Sequence, residues 1–159
     1  MSKKELKTNA MRILDRKKIQ YTFQTYACDV FVDGVTAADT AGLPHEQVYK
    51  TLVTVGKSGE YYVFVIPVAA ELDLKKAARS VKEKSIEMLP VKELNKITGY
   101  IRGGCTAIGM KKKYTTLIDR TACILDCLYV SGGKPGMQLK LRPDDLKNVT
   151  DAQYADVIK

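Results

Sequence analysis

Val48-Tyr49-Lys50-Thr51-Leu52-Val53-Thr54-Val55 is the most strand-like run of the chain, rich in β-branched residues. A turn-forming Gly56-Lys57-Ser58-Gly59 follows, then a second such run from Tyr61 to Ile66, so the segment reads as a hairpin. Strand alternation puts Lys50 on one face with Val48 and Leu52. A lysine there is costly to bury unless paired. It sits either at an exposed strand end or in a site, where burial lowers its pKa. Gly56-Lys57-Ser58 is not a phosphate-binding P-loop, because that motif wants its first glycine where Thr51 stands.

Helix and strand patterns mix on both sides of the hairpin. Residues 3 to 18 read as a helix with Leu6, Ala10, Ile13 and Leu14 on one face, begun either by a Ser2–Glu5 capping box or by Thr8, which would shorten it by about two turns. Ile19 to Tyr26 reads as a strand whose Tyr26 shares a face with polar residues, a ligand-bonding phenol or a half-exposed structural one. A loop from Ala27 to Gly34 leads to a short helix, Val35 to Ala41, closed by Gly42 and Pro44. His45 then reads as a surface residue. Asp73 to Lys84 reads as a helix capped by Asp73, with Leu74, Ala77, Ala78 and Val81 inward. Its Lys75, Arg79 and Lys82 make a basic stripe, usable against a phosphate backbone or simply solvated.

Ser85 to Leu89 suits a short strand, Pro90 to Lys96 a short helix, and Thr115 to Asp119, Ile124 to Val130 and Met137 to Leu141 further strands. Cys123 and Cys127 read as small core residues, Pro143 opens a helix, and Asp151 to Ile158 suits another. This mixture implies an α+β or α/β fold around a mostly central sheet.

Two glycine-rich segments stand out. Thr98 to Gly109 contains Gly103-Gly104 and runs into Lys111-Lys112-Lys113. Val130-Ser131-Gly132-Gly133-Lys134-Pro135-Gly136 forms a strand-loop-strand corner where the backbone can approach a ligand, with a hydroxyl and a cation beside exposed N–H groups. An ordinary hairpin turn has the same look. Two such loops suggest two walls of one pocket, or two unrelated turns.

With 159 residues, 45% of them hydrophobic, one core and one domain over 1–159 are expected. No apolar run long enough to span a membrane and no secretory signal pattern is present, which points to a soluble cytoplasmic protein with no membrane partner. Cys28, Cys105, Cys123 and Cys127 form no C-x2-C pair and there is a single histidine, so neither a zinc site nor a disulfide framework is indicated. A net charge of +8 suits a polyanionic partner or a lysine-rich solvated surface.

Val48-Tyr49-Lys50-Thr51-Leu52, Thr98-Gly99-Tyr100 with Gly103-Gly104, and Tyr129-Val130-Ser131-Gly132-Gly133-Lys134 together resemble the YbaK-type family of aminoacyl-tRNA editing proteins. Motif order and spacing are similar from about Thr8 to Ile158, and within the family the chain looks most like the freestanding Cys-tRNA(Pro) deacylases. The resemblance implies an α/β (mixed α+β) fold with helices around a central, barrel-like mixed β-sheet, as in the YbaK and prolyl-tRNA synthetase editing domains. It implies no metal or organic cofactor. The family's essential lysine falls on Lys50 with Thr51 beside it, its strand tyrosine on Tyr26, its loop glycine on Gly104 after Gly103, and its serine on Ser131 before Gly132 and Gly133. The chain departs at Ala107, preceded by Thr106, where the family often has proline, and at Cys28, where it often has histidine.

An aminoacyl ester is activated and needs less help than an amide. Lys50 is expected to bind ribose or phosphate oxygens and stabilise negative charge, with backbone N–H groups near Gly104 and Ser131 polarising the ester carbonyl. The resemblance implies that a cysteinyl substrate attacks its own ester with its thiol. Cys105, beside Gly104, is the rival nucleophile. Lys75, Arg79, Lys82, Lys111, Lys112 and Lys113 are expected to contact the acceptor end of tRNA(Pro), and prolyl-tRNA synthetase is the partner the family implies. The alternatives are a deacylase for Ala-tRNA(Pro) or another small aminoacyl-tRNA, an inactive tRNA- or synthetase-binding module, and a hydrolase of a small activated ester.

Overall fold

The structure, a computed structural model, describes residues 7–26 and 33–159. The Ser2–Glu5 cap, Leu6, Cys28 and most of the 27–34 loop lie outside the described residues. Helix α1 (Asn9–Arg16) starts at Thr8, whose hydroxyl accepts the Met11 N–H at 3.3 Å and donates to the Gly132 carbonyl. One side chain thus caps the helix and ties it to the second glycine loop. The strand read over Ile19 to Tyr26 keeps only β1 (Thr22–Thr25). Helix α2 (Gly34–Ala41) is capped by Asp33 and closed by Gly42 at φ +72°, and a 3₁₀ turn, His45–Gln47, carries His45 at the surface beside Asp39.

Strands β2 (Tyr49–Gly56) and β3 (Tyr61–Pro67) form the expected antiparallel hairpin. Helix α3 (Leu74–Ser80), strand β4 (Ile86–Met88), helix α4 (Val91–Thr98), strands β5 (Thr115–Asp119), β6 (Leu128–Ser131) and β7 (Met137–Leu141), helix α5 (Pro143–Thr150) and strand β8 (Gln153–Ala155) follow. One sheet has the order β4-β2-β3-β5-β8, with β3, β5 and β8 parallel; the other has the order β1-β7-β6, all antiparallel. A bridge between Val48 and Tyr129 links them. Neither sheet closes on itself among the described residues, so the mixed α+β expectation holds while the barrel-like description gives way to two open sheets.

The main core lies between the sheets, where Met11 and Leu14 of α1 and Leu146 of α5 meet Tyr49, Val65, Ile118, Val130 and Leu139. On the other face of the five-stranded sheet, Phe64, Ile66 and Leu117 pack against Ala77 and Ala78 of α3 and against Val157. Fully burying side chains of this size contributes about 1.5–3 kcal/mol each.

Four local expectations are corrected. Helix α3 ends at Ser80, and Lys82 stands beyond it at φ +61°, so Lys75 and Arg79 do not continue into a three-residue helical stripe. The helix stops because Glu83 is taken by the hairpin: its carboxylate accepts the Ser58 hydroxyl and the Tyr62 hydroxyl, the latter at 2.6 Å. Leu74, expected inward, is 41% exposed in the first turn. The strand expected over Ile124 to Val130 begins only at Leu128, and the chain before it, Arg120 to Ile124, is 3₁₀, because the buried Asp119 carboxylate accepts both the N–H and the hydroxyl of Thr121 and turns it. Cys123 is therefore exposed and Cys127 only partly buried, neither a core residue. The tail is a strand, not a helix: α5 ends at Thr150 with Asp151 as its cap, and β8 pairs with the edge of β5 that β3 leaves free.

Candidate active site

A cleft of about 400 Å³ opens where β2 passes from one neighbour to another. Strand β4 pairs only with Thr54 to Gly56, while Val48 bridges to β6, leaving the edge of β2 between them unpaired. The Leu89 N–H donates to the Val53 carbonyl on that edge at 3.0 Å, and the Val68 N–H to the Val48 carbonyl on the β3 side at 2.9 Å. Alternate residues of an antiparallel strand direct both backbone groups the same way, so Thr51 presents its N–H and carbonyl to the open edge. Of the expected site residues, Tyr26, Lys50, Thr51, Gly103 and Ser131 line this cleft.

Lys50 is half-buried at the cleft and, among the described residues, makes no hydrogen bond or ion pair. Burial lowers its pKa below 10.5, with the Glu71 and Asp33 carboxylates offsetting part of that. Asp33 accepts the Thr36 N–H at 2.8 Å, which holds its carboxyl below the usual range; Lys50 adds a smaller effect. The cation thus has two acidic neighbours at a distance and no fixed partner, leaving its hydrogens for a ligand.

The two glycine loops meet. A side chain at Gly104 would lie 2.7 Å from Lys134 Cα and 2.8 Å from Pro135 Cδ, so the bare glycine is what lets the loops touch. Gly104 is buried outside the cleft lining, and its N–H already donates to the Ile101 carbonyl at 2.9 Å. Gly103, at φ +88°, and Cys105 do line the cleft, and among the described residues their N–H groups donate to no protein acceptor. Gly132 and Gly133 also stay out of the lining. A side chain at Gly132 would meet Met137 at 2.6 Å, and one at Gly133 would meet Thr8 at 3.3 Å. Ser131 faces the cleft, its Oγ accepting the Gly133 N–H at 3.3 Å.

Cys105 sits in the cleft wall against Val53 and Leu89, and burial pushes its thiol up to about 12. A thiol so protonated at neutral pH is a poor nucleophile. Alkylation by iodoacetamide at neutral pH, read by mass spectrometry, is expected at exposed Cys123 well before Cys105.

Sequence reasoning missed Asp33, Arg102 and Gln138, which also line the cleft. Strand alternation groups Gln138 with Lys140, which is exposed, yet Gln138 is 8% exposed. Its Oε1 is buried with no hydrogen-bond partner among the described residues, a condition that costs about 1–3 kcal/mol. Among the described residues no three His, Cys, Asp or Glu cluster so as to hold a metal ion, and no helix is long and apolar enough to cross a membrane.

Residues 33–149 match the model of the aminoacyl-tRNA editing domain, a span that holds most of this cleft. The chain belongs to the aminoacyl-tRNA editing domain family. It is 40% identical over 156 residues, 98% of its length and 95% of the relative's, to an Enterococcus faecalis protein, EbsC, named as a candidate Cys-tRNA(Pro)/Cys-tRNA(Cys) deacylase. Solved structures share its fold, two among them instructive. One, described as a candidate trans-editing enzyme for prolyl tRNA synthetase, is 24% identical with a TM-score of 0.80, covering 96% of this chain and 98% of that one. The other, a hypothetical protein designated APE2540, is 21% identical with a TM-score of 0.84, covering 93% and 97%.

In this editing domain the expected tRNA contacts lie outside the cleft. Lys75, Arg79, Lys82, Lys111, Lys112 and Lys113 are all exposed. Lys112 and Lys113 line a separate groove of about 250 Å³ with Arg16 and Lys17, Lys113 pairing with Asp151. Lys111 Nζ donates to the Lys96 carbonyl at 3.2 Å.

Proposed function

We propose that this chain is an aminoacyl-tRNA deacylase that removes cysteine mischarged onto proline tRNA. The observation that carries it is Lys50: a half-buried cation without a fixed partner among the described residues, on an open strand edge, in one cleft with Ser131 and the N–H groups of Gly103 and Cys105, which no described acceptor engages. The 40% identity to a chain named for that activity gives the substrate.

In this reading Lys50 binds the oxygen through which the ester joins the ribose and stabilises the charge that develops there. The N–H groups of Gly103 and Cys105 take the place first assigned to that of Gly104, polarising the ester carbonyl, while Gly104 holds the loop that presents them. Ser131, Tyr26 and Thr51 orient the aminoacyl end; Gly132 and Gly133 shape the loop that carries Ser131. The substrate supplies the nucleophile: its sulfur bonds to the carbonyl carbon as the 3′ oxygen leaves, the thiol proton passes to that oxygen, and water later opens the cyclic thioester. The exposed basic residues contact the acceptor-end phosphates, and prolyl-tRNA synthetase supplies the mischarged tRNA in the cytoplasm, with residues 1–159 acting as one domain.

The test is release of amino acid from tRNA(Pro) charged with cysteine, alanine or proline. Cysteine is expected to leave fastest and proline to stay. Faster release of alanine would move the assignment to that residue, and binding of all three without release would make the chain a tRNA-binding module.

A further inference from the structure

Gln138 is the one polar side chain at the cleft whose buried acceptor is unanswered among the described residues. It lies on β7, paired in register with Ser131 on one side and with Gln24 on the other, and is 8% exposed with Oε1 unpartnered. A buried unpaired acceptor costs free energy that a ligand hydrogen would relieve, so the group to be bound is a donor. Residues in direct register have Cα atoms only about 4.5–5.5 Å apart. The donor therefore lies next to whatever Ser131 touches. If the ester carbonyl is held beside Ser131, the donor on the next carbon of the acyl group is the α-amino group.

We propose that the Gln138 carboxamide reads the free α-amino group of the aminoacyl ester, accepting a hydrogen from it through Oε1. This rests on the deacylase reading and deepens it: the enzyme accepts a free aminoacyl group and rejects one whose nitrogen is acylated. An acylated nitrogen keeps at most one hydrogen and brings a bulky carbonyl against the β7 wall.

The test uses a ligand that cannot be cleaved, adenosine carrying cysteine in 3′-amide linkage, and its N-acetyl counterpart, with binding read by calorimetry. The wild-type protein is expected to bind the free-amine ligand about 10- to 100-fold more tightly than the acetylated one. Gln138→Met, similar in shape and without an acceptor, loses that preference, and Gln138→Glu restores it. Thermal unfolding of Gln138→Met without ligand, expected unchanged or higher, shows that the variant is folded. Equal wild-type affinity for the two ligands, binding of neither, or an undiminished preference in Gln138→Met would overturn the proposal. Deacylation of Cys-tRNA(Pro) is followed separately. Amine-dependent binding without release defeats the deacylase reading alone, and release without amine dependence defeats only the role of Gln138.

Discussion

Replacing Lys50 with methionine is expected to give a folded protein that releases cysteine from tRNA(Pro) at least about 100-fold more slowly, the effect of removing a preorganised charge from an oxyanion. The same change is expected to raise thermal stability. Charged Lys50 is half-buried without a fixed partner among the described residues, and burial lowers its pKa from 10.5, so the unfolded chain holds that proton more tightly than the folded one. The sign follows. At pH below the folded-state pKa the buried charge counts fully against folding, and as pH rises toward 10.5 the folded form sheds the proton first and stability climbs. Methionine fills the space without the charge, with a gain of at most about 1 kcal/mol because solvent screens a half-exposed charge, and abolishes this alkaline rise. Thermal melts of both proteins across pH, beside the deacylation rate, check it. A methionine variant that is slower and also less stable would assign Lys50 to the framework rather than to the chemistry.

Gly104→Ala is the second large effect. The added carbon would lie 2.7–2.8 Å from backbone atoms of Lys134 and from Pro135 Cδ, none of them the free end of a flexible side chain. One loop must back away, at about 1–3 kcal/mol, lowering Tm by roughly 3–10 °C. Since Gly103 and Cys105 flank the displaced residue, their N–H groups move with it, and a shift near 1 Å costs about 100-fold in rate. Gly59→Ala is the control. Gly59 has φ +94° and open space around it in the β2–β3 turn, so alanine there strains the backbone without touching the cleft. That variant is expected to lose stability while keeping its rate, whereas Gly104→Ala loses both; full activity in Gly104→Ala would separate the loop contact from catalysis.

What could be read from residues alone was local. The β2–β3 hairpin is legible in the alternation over Val48 to Val55, which leaves Lys50 either at an exposed strand end or in a site, and Thr8 is one of two legible starts for α1. The two glycine loops suggest two walls of one pocket, with two unrelated turns as the alternative, and what decides is a contact between residues 104 and 134 that no local pattern encodes. Partners distant in sequence decided what failed. Glu83 is captured by Ser58 and Tyr62, ending α3 before Lys82; Asp119 turns the chain that carries Cys123; β8 reads as helix until β5 is beside it. Gln138 was hidden by the rule that found Lys50, because period-two alternation assigns it the side of Lys140, and only the cleft shows why a polar group is buried there.

The cleft takes its walls from Tyr26, from the start of α2, from β2, from Met88, Leu89, Val91 and Leu94, from Arg102, Gly103 and Cys105, and from Ser131 and Gln138. No contiguous stretch holds more than a fraction of it, and the parallel pairing of β3 with β5 closes a loop over all the intervening chain. On refolding, the β2–β3 hairpin can form in microseconds, while long-range pairings wait on loop closure and arrive orders of magnitude later. Catalytic competence is therefore the last property the molecule regains: a chain already showing its strand signal still has no place to put a substrate.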